Sequence, residues 1–420
     1  MSGMLLIPIF LLLTFFRQNV ILTLAVIIGL VHSYIARNSS VEYLVQDLWF
    51  TLDRELLLSI PMFIFAGVIM SSGSISARLV RLMKALTSPF RGGLAIATIL
   101  AMAVFSSISG SAIVTMMAVG TLMYPALIQS GYSVRFTLGL LCTGGTLGVI
   151  IPPSILMILY GLSTDVSVTN MFMAGWGPGL LMVLVLCVYS VICNRSAETS
   201  PFDIAEVWAA LKHGITALLM PVILMGGIYS GIFTVTEAAA VSLLYALLIE
   251  VVLFRNLGAK DVFRLGLDTV KLLGTLMPLV AFAGSLNVIL QYEGVPQALV
   301  AWTQETFTAD WQMLIMVNLM LLVAGALMDE SSAIIILAPL LAPLGLAYGY
   351  DPVHFAIMVI VNLQIGYVMP PVALSVIVAT SVFRQTFLTV SRAVLPFVAL
   401  MLMVLLITIM VPQLSLMFIR

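Results

Sequence analysis

Hydrophobic residues occur along this chain in long, nearly unbroken stretches that are separated by short polar segments. A helix needs about 20 apolar residues to cross the ~30 Å hydrocarbon core of a bilayer. Lipid offers no partner to open backbone groups, and barrel strands would alternate polar with apolar residues, so the pattern predicts membrane-spanning helices. The apolar stretches lie near residues 20–36, 56–72, 93–108, 136–163, 172–193, 214–232, 237–254, 272–292, 313–328, 354–383 and 393–411.

Residues 1–16 are also apolar and predict a short first helix rather than a cleaved signal peptide. The charge of Arg17 follows this apolar run instead of preceding it, and no small-residue cleavage site appears.

Two of the apolar stretches carry the same interruption. Gly148-Val-Ile-Ile-Pro152-Pro153 returns 218 positions later as Gly366-Tyr-Val-Met-Pro370-Pro371. Paired membrane segments that are interrupted by Pro and Gly at corresponding places of two halves are typical of secondary transporters, where they mark the binding site. The sequence therefore predicts two structural repeats. The same offset links Pro125, Gly131, Tyr132 and Pro178 to Pro343, Gly349, Tyr350 and Pro396.

The first repeat is predicted to span residues 1–213 and the second 214–420. Each is expected to contain scaffold helices, an arm on the membrane surface, a hairpin, a helix broken at the Pro-Pro pair and a further helix. The arms mix charged and apolar residues at helical spacing, as interfacial helices do, and an ordinary loop is the alternative. In the first repeat the arm, the hairpin, the broken helix and the further helix are expected at 40–55, about 93–128, 136–163 and 172–193. In the second repeat they are expected at 257–272, about 313–349, 354–383 and 393–411.

The charged residues predict the orientation of the repeats. Lys and Arg concentrate on the cytoplasmic side of membrane proteins. Segment 73–91 carries four basic residues and no acid, whereas the corresponding segment 293–311 carries three acids and no base. The repeats are therefore predicted to be inverted in the membrane. The remaining basic clusters all fall in the cytoplasm only if 109–125 and 329–343 belong to re-entrant hairpins.

Composition excludes several classes of protein. The chain is 62% hydrophobic and 8% charged, whereas a soluble domain carries about 25% charged residues. No basic block suggests nucleic acid as a partner. The three cysteines lie inside apolar runs and the three histidines are isolated, so we expect neither a disulfide framework nor a transition-metal site.

Polar residues at the predicted hairpin tips are the first candidates for chemistry. The first tip contains Ser109 and Ser111, and the second contains Asp329, Glu330 and Ser332. A carboxylate at mid-depth costs ~2.5–3.5 kcal/mol on insertion scales and is by default a functional residue. Asp329 is expected to cap the returning helix through the amide of the second or third residue after it, either alone or together with an ion or substrate contact. Glu330 is expected to face either a water-filled cavity or a partner helix.

The Pro-Pro pairs are the second set of candidates. Two prolines remove two amide donors, so carbonyl groups of the preceding turn lose their partners within the helix. Such carbonyls, together with the hydroxyls of a hairpin tip, supply the hard oxygen ligands that an alkali cation needs, while the following half-helix offers its N-terminus to an anion. Each repeat is thus predicted to build a half-site from its tip and its break, with Asn362 as a further oxygen donor. Helix kinking alone is the alternative.

Four further polar residues receive structural interpretations. Thr234-x-x-Glu237 predicts a capping box, Glu250 is placed near a cytoplasmic helix end, and Asp165 is placed in an outer loop.

At this point the motifs resemble a known family. Ser109-Gly110-Ser111-Ala112, the first Pro-Pro segment, Met328-Asp329, Gly349-Tyr350-Asp351-Pro352-Val353-His354-Phe355 and the second Pro-Pro segment are similar to those of the large membrane subunit of TRAP transporters, the tripartite ATP-independent periplasmic carriers. The resemblance covers nearly the whole chain. It implies an all-α elevator-type secondary transporter in the bacterial inner membrane, and not an enzyme. It also implies sodium as the coupling ion and no other cofactor.

The resemblance further implies the partners and the site residues. A periplasmic solute-binding protein would deliver a carboxylate-bearing organic solute, and a separate small four-helix membrane subunit would complete the transporter. Substrate contacts would come from Ser154 and Asp329. The first sodium site would be formed by Ser109, Ser111, Gly148, Ile151 and Pro153, and the second by Asp329, Ser332, Asn362, Gly366 and Met369.

Two alternatives stay open from the sequence. A solo sodium-coupled carboxylate transporter would share the repeats but would need no binding protein. A membrane-embedded transferase would need clustered catalytic acids or histidines near one interface, and Asp329-Glu330 is the only acidic pair at depth.

Overall fold

The computed structural model describes residues 20–30, 41–195, 201–307 and 309–419. The short helix predicted for residues 1–16 and the first residue of the arm at 40–55 lie outside the described residues.

The described part of the chain is built from helices and contains no strand. A 3₁₀ turn at Glu55–Leu58 leads into the helix that begins at Ser59, and a π turn at Leu248–Leu253 follows the helix that ends at Leu247. The helices are α1 Val20–Leu30, α2 Val41–Leu52, α3 Ser59–Ser72, α4 Ile75–Thr87, α5 Gly93–Ser109, α6 Ala112–Gln129, α7 Val134–Gly145, α8 Leu147–Ile150, α9 Ile155–Thr164, α10 Val168–Cys193, α11 Ile204–Tyr229, α12 Val235–Leu247, α13 Ala259–Tyr292, α14 Val295–Thr306, α15 Asp310–Leu327, α16 Glu330–Ala347, α17 Pro352–Val368, α18 Leu374–Phe383, α19 Phe387–Met410 and α20 Gln413–Leu416.

Within the described residues nine helices are long and apolar enough to cross a membrane, or ten if the bent pair formed by α7–α8 and α9 counts as one span. Large apolar side chains such as Leu184, Val222 and Leu319 lie exposed on the outside of these helices. Apolar surface of this kind is stable in lipid and not in water. The prediction of an all-α, multi-pass membrane protein is confirmed.

Both predicted hairpins are pairs of helices with a short break between them. In the first hairpin α5 ends at Ser109, Gly110 has φ +60°, and α6 begins at Ala112. Only glycine adopts this left-handed conformation readily, so Gly110 ends the helix and turns the chain. In the second hairpin α15 ends at Leu327 and α16 begins at Glu330. Their re-entrant insertion from one side of the membrane stays a prediction.

Both Pro-Pro segments break a helix, as predicted. Residues 151–154 separate α8 from α9, and the two helical parts meet at an angle of 42°. Residues 369–373 separate α17 from α18 in the second half of the chain. The prolines cannot donate the backbone hydrogen bonds that would continue each helix.

The two predicted arms differ from each other. The first forms a separate helix, α2, whereas the second is the beginning of the continuous 34-residue helix α13. At 1.5 Å per residue α13 is about 51 Å long, which exceeds the thickness of the hydrocarbon core. No proline lies between 259 and 277, and an i,i+3 ion pair between Asp268 and Lys271 supports the junction, so nothing interrupts the helix there.

The two halves of the chain interlock at the centre of the fold. The second part of the first broken helix, α9, packs against α16 of the second hairpin, and α18 packs in the same way against α6 of the first hairpin. The rings of Tyr124 and Phe383 stack across the latter contact, with centroids 4.9 Å apart. Helix α17 is buried at every residue from His354 to Val368. The repeats' inverted relation and the boundary at residue 213 stay predictions.

Candidate functional site

The first hairpin tip touches the first helix break directly. The backbone N–H of Ile155 donates a 3.3 Å hydrogen bond to the carbonyl oxygen of Gly110. A Cβ atom on Gly110 would lie 3.0 Å from the carbonyl oxygen of Pro153, so the two backbones are in close contact. The sequence predicted this pairing of tip and break.

Three of the residues predicted for the first sodium site lie together at this contact. The Ser109 hydroxyl is buried and lies 3.5 Å from the amide nitrogen of Ser111. A Cβ atom on Gly148 would lie 2.7 Å from the carbonyl oxygen of Ser111 and 3.0 Å from the hydroxyl oxygen of Thr115. The Ser109 and Thr115 hydroxyl oxygens are 2.7 Å apart and hydrogen-bonded. Thr115 is a member that the sequence did not reveal, because its contact depends on the fold of the tip.

The other residues predicted for this half-site lie along the break. Ile151 ends α8, with its amide donating to Leu147, and then turns to an extended conformation. Ser154 occupies the N-cap position of α9 and is fully buried, and its hydroxyl has no hydrogen-bond partner among the described residues. Buried hydroxyls are nearly always paired, so this one is available to a bound molecule or ion.

The second hairpin tip is organised by Asp329. Its carboxylate accepts a 2.9 Å hydrogen bond from the Ser332 amide and a second bond from the Ser332 hydroxyl, which confirms the predicted cap. The neighbouring Glu330 is buried, and one of its carboxyl oxygens has no hydrogen-bond partner among the described residues. Tyr367 lies near the end of α17, just before the second break, and α17 packs against α16, the helix that Asp329 caps. Sequence analysis missed Tyr367.

The backbones of the hairpin and the broken helix approach each other closely in the second half-site. A Cβ atom on Gly366 would lie 2.7 Å from the Cα atom of Gly325 in α15. One turn earlier, the Asn362 amide donates to the side-chain and backbone oxygens of Asn318, at 2.6 and 3.1 Å. The side-chain oxygen of Asn362 has no hydrogen-bond partner in the described part of the chain. The Gly366 carbonyl accepts a 3.0 Å bond from the amide of Met369.

The interlocked helices bring the two half-sites into one region. Ser154 begins α9 and Asp329 caps α16, and these two helices pack against each other. The groups available in the region are hydroxyl, carboxyl, amide and backbone oxygens. Oxygen donors suit hard cations, whereas transition metals prefer nitrogen and sulfur. The described residues contain no group of three His, Cys, Asp or Glu side chains that suits a metal ion.

The predicted capping box of Thr234 and Glu237 is present at the start of α12. Asp165 follows α9 and accepts a 3.0 Å hydrogen bond from Arg54. Glu250, by contrast, is not simply a residue at a helix end. It is fully buried, and its carboxyl group accepts hydrogen bonds from the amides of Ser74 and Ile75 at 2.9 and 3.1 Å.

A multi-pass helical fold in which two hairpin tips meet two broken helices at the centre defines a membrane transport protein, since such discontinuous helices build the sites of secondary transporters. The family described as the tripartite ATP-independent periplasmic transporter, DctM component, matches residues 7–414. The chain therefore belongs to the large permease subunits of TRAP transporters, and the resemblance seen in the sequence is confirmed.

Similar proteins include relatives with different named substrates. The C4-dicarboxylate TRAP transporter large permease DctM of Pseudomonas aeruginosa is 37% identical over 380 residues, which cover 90% of this chain and 89% of that protein. The isethionate TRAP transporter permease DctMQ of Oleidesulfovibrio alaskensis is 36% identical over 91% of this chain, but the match covers 61% of the longer relative. Relatives of this chain are thus named as permeases and not as enzymes.

The fold is also similar to a solved structure. The YdaH transporter of Alcanivorax borkumensis superposes with a TM-score of 0.64 over 96% of this chain and 97% of that protein, at 14% sequence identity. This likeness supports the architecture.

Proposed function

We propose that this permease couples the uptake of a carboxylate-bearing organic solute to sodium entry, and that it does so by an elevator movement. The contact of the first hairpin tip with the first helix break supports this proposal most directly, and the hydrogen bond from Ile155 to Gly110 is its defining geometry. Discontinuous helices place backbone oxygens and helix N-termini at mid-depth, where cations and anionic substrates are bound together.

The proposed sodium ligands are the residues predicted from the sequence. Ser109, Ser111 and Gly148 lie at one tip and its break, with Ile151 and Pro153 farther along the same break. In the second half-site the oxygens come from Asp329, Ser332, Asn362, Gly366 and Met369. Asp329 is the only one of these with a carboxyl side chain, and it lies beside a second carboxyl group, Glu330. A cation there would offset the cost of placing acidic groups inside the membrane.

The proposed substrate position lies between the half-sites. Ser154 begins α9, so an anion beside it would meet the N-terminus of that helix and its favourable dipole. The unpaired Ser154 hydroxyl supplies a hydrogen-bond donor to a carboxylate. Relatives named for C4-dicarboxylate and for isethionate share this fold, which indicates that the substrate is selected largely by another component.

That component is proposed to be a periplasmic solute-binding protein, with a small four-helix membrane subunit as the third part and the bacterial inner membrane as the location. The family description itself names a tripartite and periplasmic transporter. The match to only 61% of the DctMQ relative leaves a length in that protein that fits a fused small subunit.

The test is uptake by the transporter in proteoliposomes, with labelled succinate as the carboxylate probe and labelled isethionate, a sulfonate, as the comparison anion. We expect uptake only when the binding protein, the small subunit and an inward sodium gradient are all present. Potassium in place of sodium should reduce uptake to background. Sodium-driven uptake by this chain alone would overturn the tripartite part of the proposal in favour of a solo carrier.

A further inference from the structure

A cavity of about 1210 Å³ lies far from the hairpin tips. Its walls come from the end of α4, the start of α5, the turn between α6 and α7, the end of α10 and the start of α19. The 18 residues of α6 separate this turn from the tip at Ser111, which corresponds to about 27 Å at 1.5 Å per residue. The cavity is therefore distinct from the proposed transport site.

Positive charge dominates this cavity. Lys84, Arg135 and Arg392 line it, and none of its lining residues in the described part of the chain is an Asp or Glu. None of the three forms an ion pair among the described residues, whereas Arg54, Arg81 and others on the same protein do. Three cations at one cavity without a carboxylate partner repel one another and attract an anion.

Burial disfavours the charge of one of these cations, Lys84. This side chain is half-buried, and its burial lowers the pKa of the ammonium group. A bound anion would reverse this effect, because it would favour the charged form. Neutral donors of the kind that bind phosphate oxygens also line the cavity: the hydroxyls of Ser130 and Ser133 and the amide of Gln129.

The inner side of the cavity is aromatic. Phe136, Tyr189 and Phe397 pack together there, with ring centroids 5.1 to 6.2 Å apart. Phe136 and Phe397 are buried, whereas Arg135 and Arg392 are exposed, so the cavity combines exposed cationic groups with buried aromatic ones. It is also larger than the ~300–1,000 Å³ of ordinary small-molecule pockets. A charged headgroup followed by hydrocarbon matches this combination.

We propose that this cavity binds a phosphate oxyanion on the cytoplasmic side of the membrane, carried by an anionic phospholipid headgroup or by a soluble phosphate. The side follows from the basic residues themselves, which mark cytoplasmic helix ends. Basic pockets between membrane helices on that side are suited to anionic headgroups, because the cytoplasmic leaflet carries negative lipids. The ends of six helices, α4, α5, α6, α7, α10 and α19, meet at the cavity, so a bound phosphate would bridge the first hairpin to α4, α10 and α19.

The test is native mass spectrometry of the purified transporter, delipidated and titrated with phosphatidylglycerol or phosphatidylcholine. The test variant is the double substitution Arg135→Gln and Arg392→Gln. The matched control is Arg264→Gln, because Arg264 is an exposed arginine that pairs with Asp261. We expect phosphatidylglycerol to bind more tightly than phosphatidylcholine. We expect the double variant to lose this preference by about 25-fold and the control to keep it, since each basic residue near an anionic lipid is worth about fivefold in affinity.

A second experiment distinguishes the two sources of phosphate. Inorganic phosphate, titrated from 0 to millimolar concentrations, should raise the thermal unfolding temperature of the wild type but not of the double variant if the ligand is soluble. Phosphatidylglycerol preference without a phosphate effect identifies the lipid. The proposal is overturned if wild type and double variant bind both lipids equally and phosphate stabilises neither. Size-exclusion profiles and unfolding temperatures without ligand establish that both variants fold. Neither experiment depends on transport activity.

Discussion

The amide of Ile155 donates a hydrogen bond to the carbonyl oxygen of Gly110, over 3.3 Å and 45 positions of sequence. This bond ties the first hairpin tip to the first residue of the helix that follows the break. Both partners belong to the backbone, so the contact depends on the conformation of the chain and not on a particular side chain at Ile155. The position of Gly110 is therefore the more sensitive of the two to substitution.

Gly110→Ala should abolish sodium-dependent uptake. The left-handed conformation of Gly110 costs a non-glycine residue about 1–2 kcal/mol, and the new Cβ atom would lie 3.0 Å from the Pro153 carbonyl oxygen. The matched control is Gly349→Ala, since Gly349 has φ +79° but no atom of the described residues within 4 Å of its Cβ position. Both variants should unfold at reduced temperatures, Gly110→Ala at the lower of the two because of its additional steric contact, and only Gly110→Ala should lose uptake. Equal uptake in the two would contradict the importance of the contact.

Thr115→Val should weaken the response to sodium. The variant removes the hydroxyl that pairs with Ser109 at 2.7 Å, whereas Thr115→Ser keeps it. A hydrogen bond contributes about 0.5–1.5 kcal/mol, so the sodium concentration for half-maximal uptake should rise about 2- to 10-fold in the valine variant. The serine variant should behave like the wild type. An unchanged sodium response in the valine variant would exclude Thr115 from the site.

Gly366→Ala should destabilise the protein because α17 and α15 are too close to admit a methyl group. Its Cβ atom would lie 2.7 Å from the Cα atom of Gly325, and overpacking of this kind costs about 1–3 kcal/mol. Gly274→Ala in α13 is the control, since no atom lies within 4 Å of its Cβ position. Thermal unfolding in detergent should show a lower midpoint for the first variant and an unchanged or higher one for the second. An unchanged unfolding midpoint in the Gly366→Ala variant would show that the two helices separate easily.

Glu250→Ala should lower stability more than Glu237→Ala. Both carboxyl groups accept hydrogen bonds from backbone amides at a helix start, but Glu250 is fully buried and Glu237 is exposed. Loss of a buried acceptor leaves the amides of Ser74 and Ile75 without a partner, at a cost of about 1–3 kcal/mol. Unfolding midpoints measured side by side provide the comparison. Equal midpoints would mean that water replaces the carboxyl group of Glu250.

The sequence predicted the broken elements well because proline and glycine act locally. The tip at Gly110 and the breaks at Pro152 and Pro370 follow from backbone properties of those residues alone. The Asp329 cap was predicted for the same reason, since its partner Ser332 is only three residues away.

Other features depend on parts of the chain that are distant in sequence. Glu250 meets Ser74 across 176 positions, and α17, which carries Tyr367, comes to lie against α16 only when the chain folds. Periodicity and composition contain no signal for such pairs. The second arm was expected as a separate segment, but its amphipathic pattern runs into the next span without a breaker, and the helix continues.

The central claim is that Asp329 binds the coupling ion, and the dependence of uptake on sodium tests it most directly. Asp329→Asn removes the charge but keeps a good helix cap, since Asn and Asp cap equally well. Asp351→Asn is the matched control. Asp351 caps α17, and its carboxylate accepts hydrogen bonds from the amides of Val353 and His354. A second comparison uses Ser111→Ala as the test variant and Ser106→Ala as its control. The Ser106 hydroxyl donates a hydrogen bond to the carbonyl oxygen of Ala103 in its own helix.

We predict that Asp329→Asn raises the sodium concentration for half-maximal uptake by at least about tenfold, a loss of ~1.4 kcal/mol, while Asp351→Asn leaves it unchanged. Ser111→Ala should shift it in the same direction and Ser106→Ala should not. Sodium dependence like that of the wild type in both Asp329→Asn and Ser111→Ala would contradict the assignment of the sodium sites.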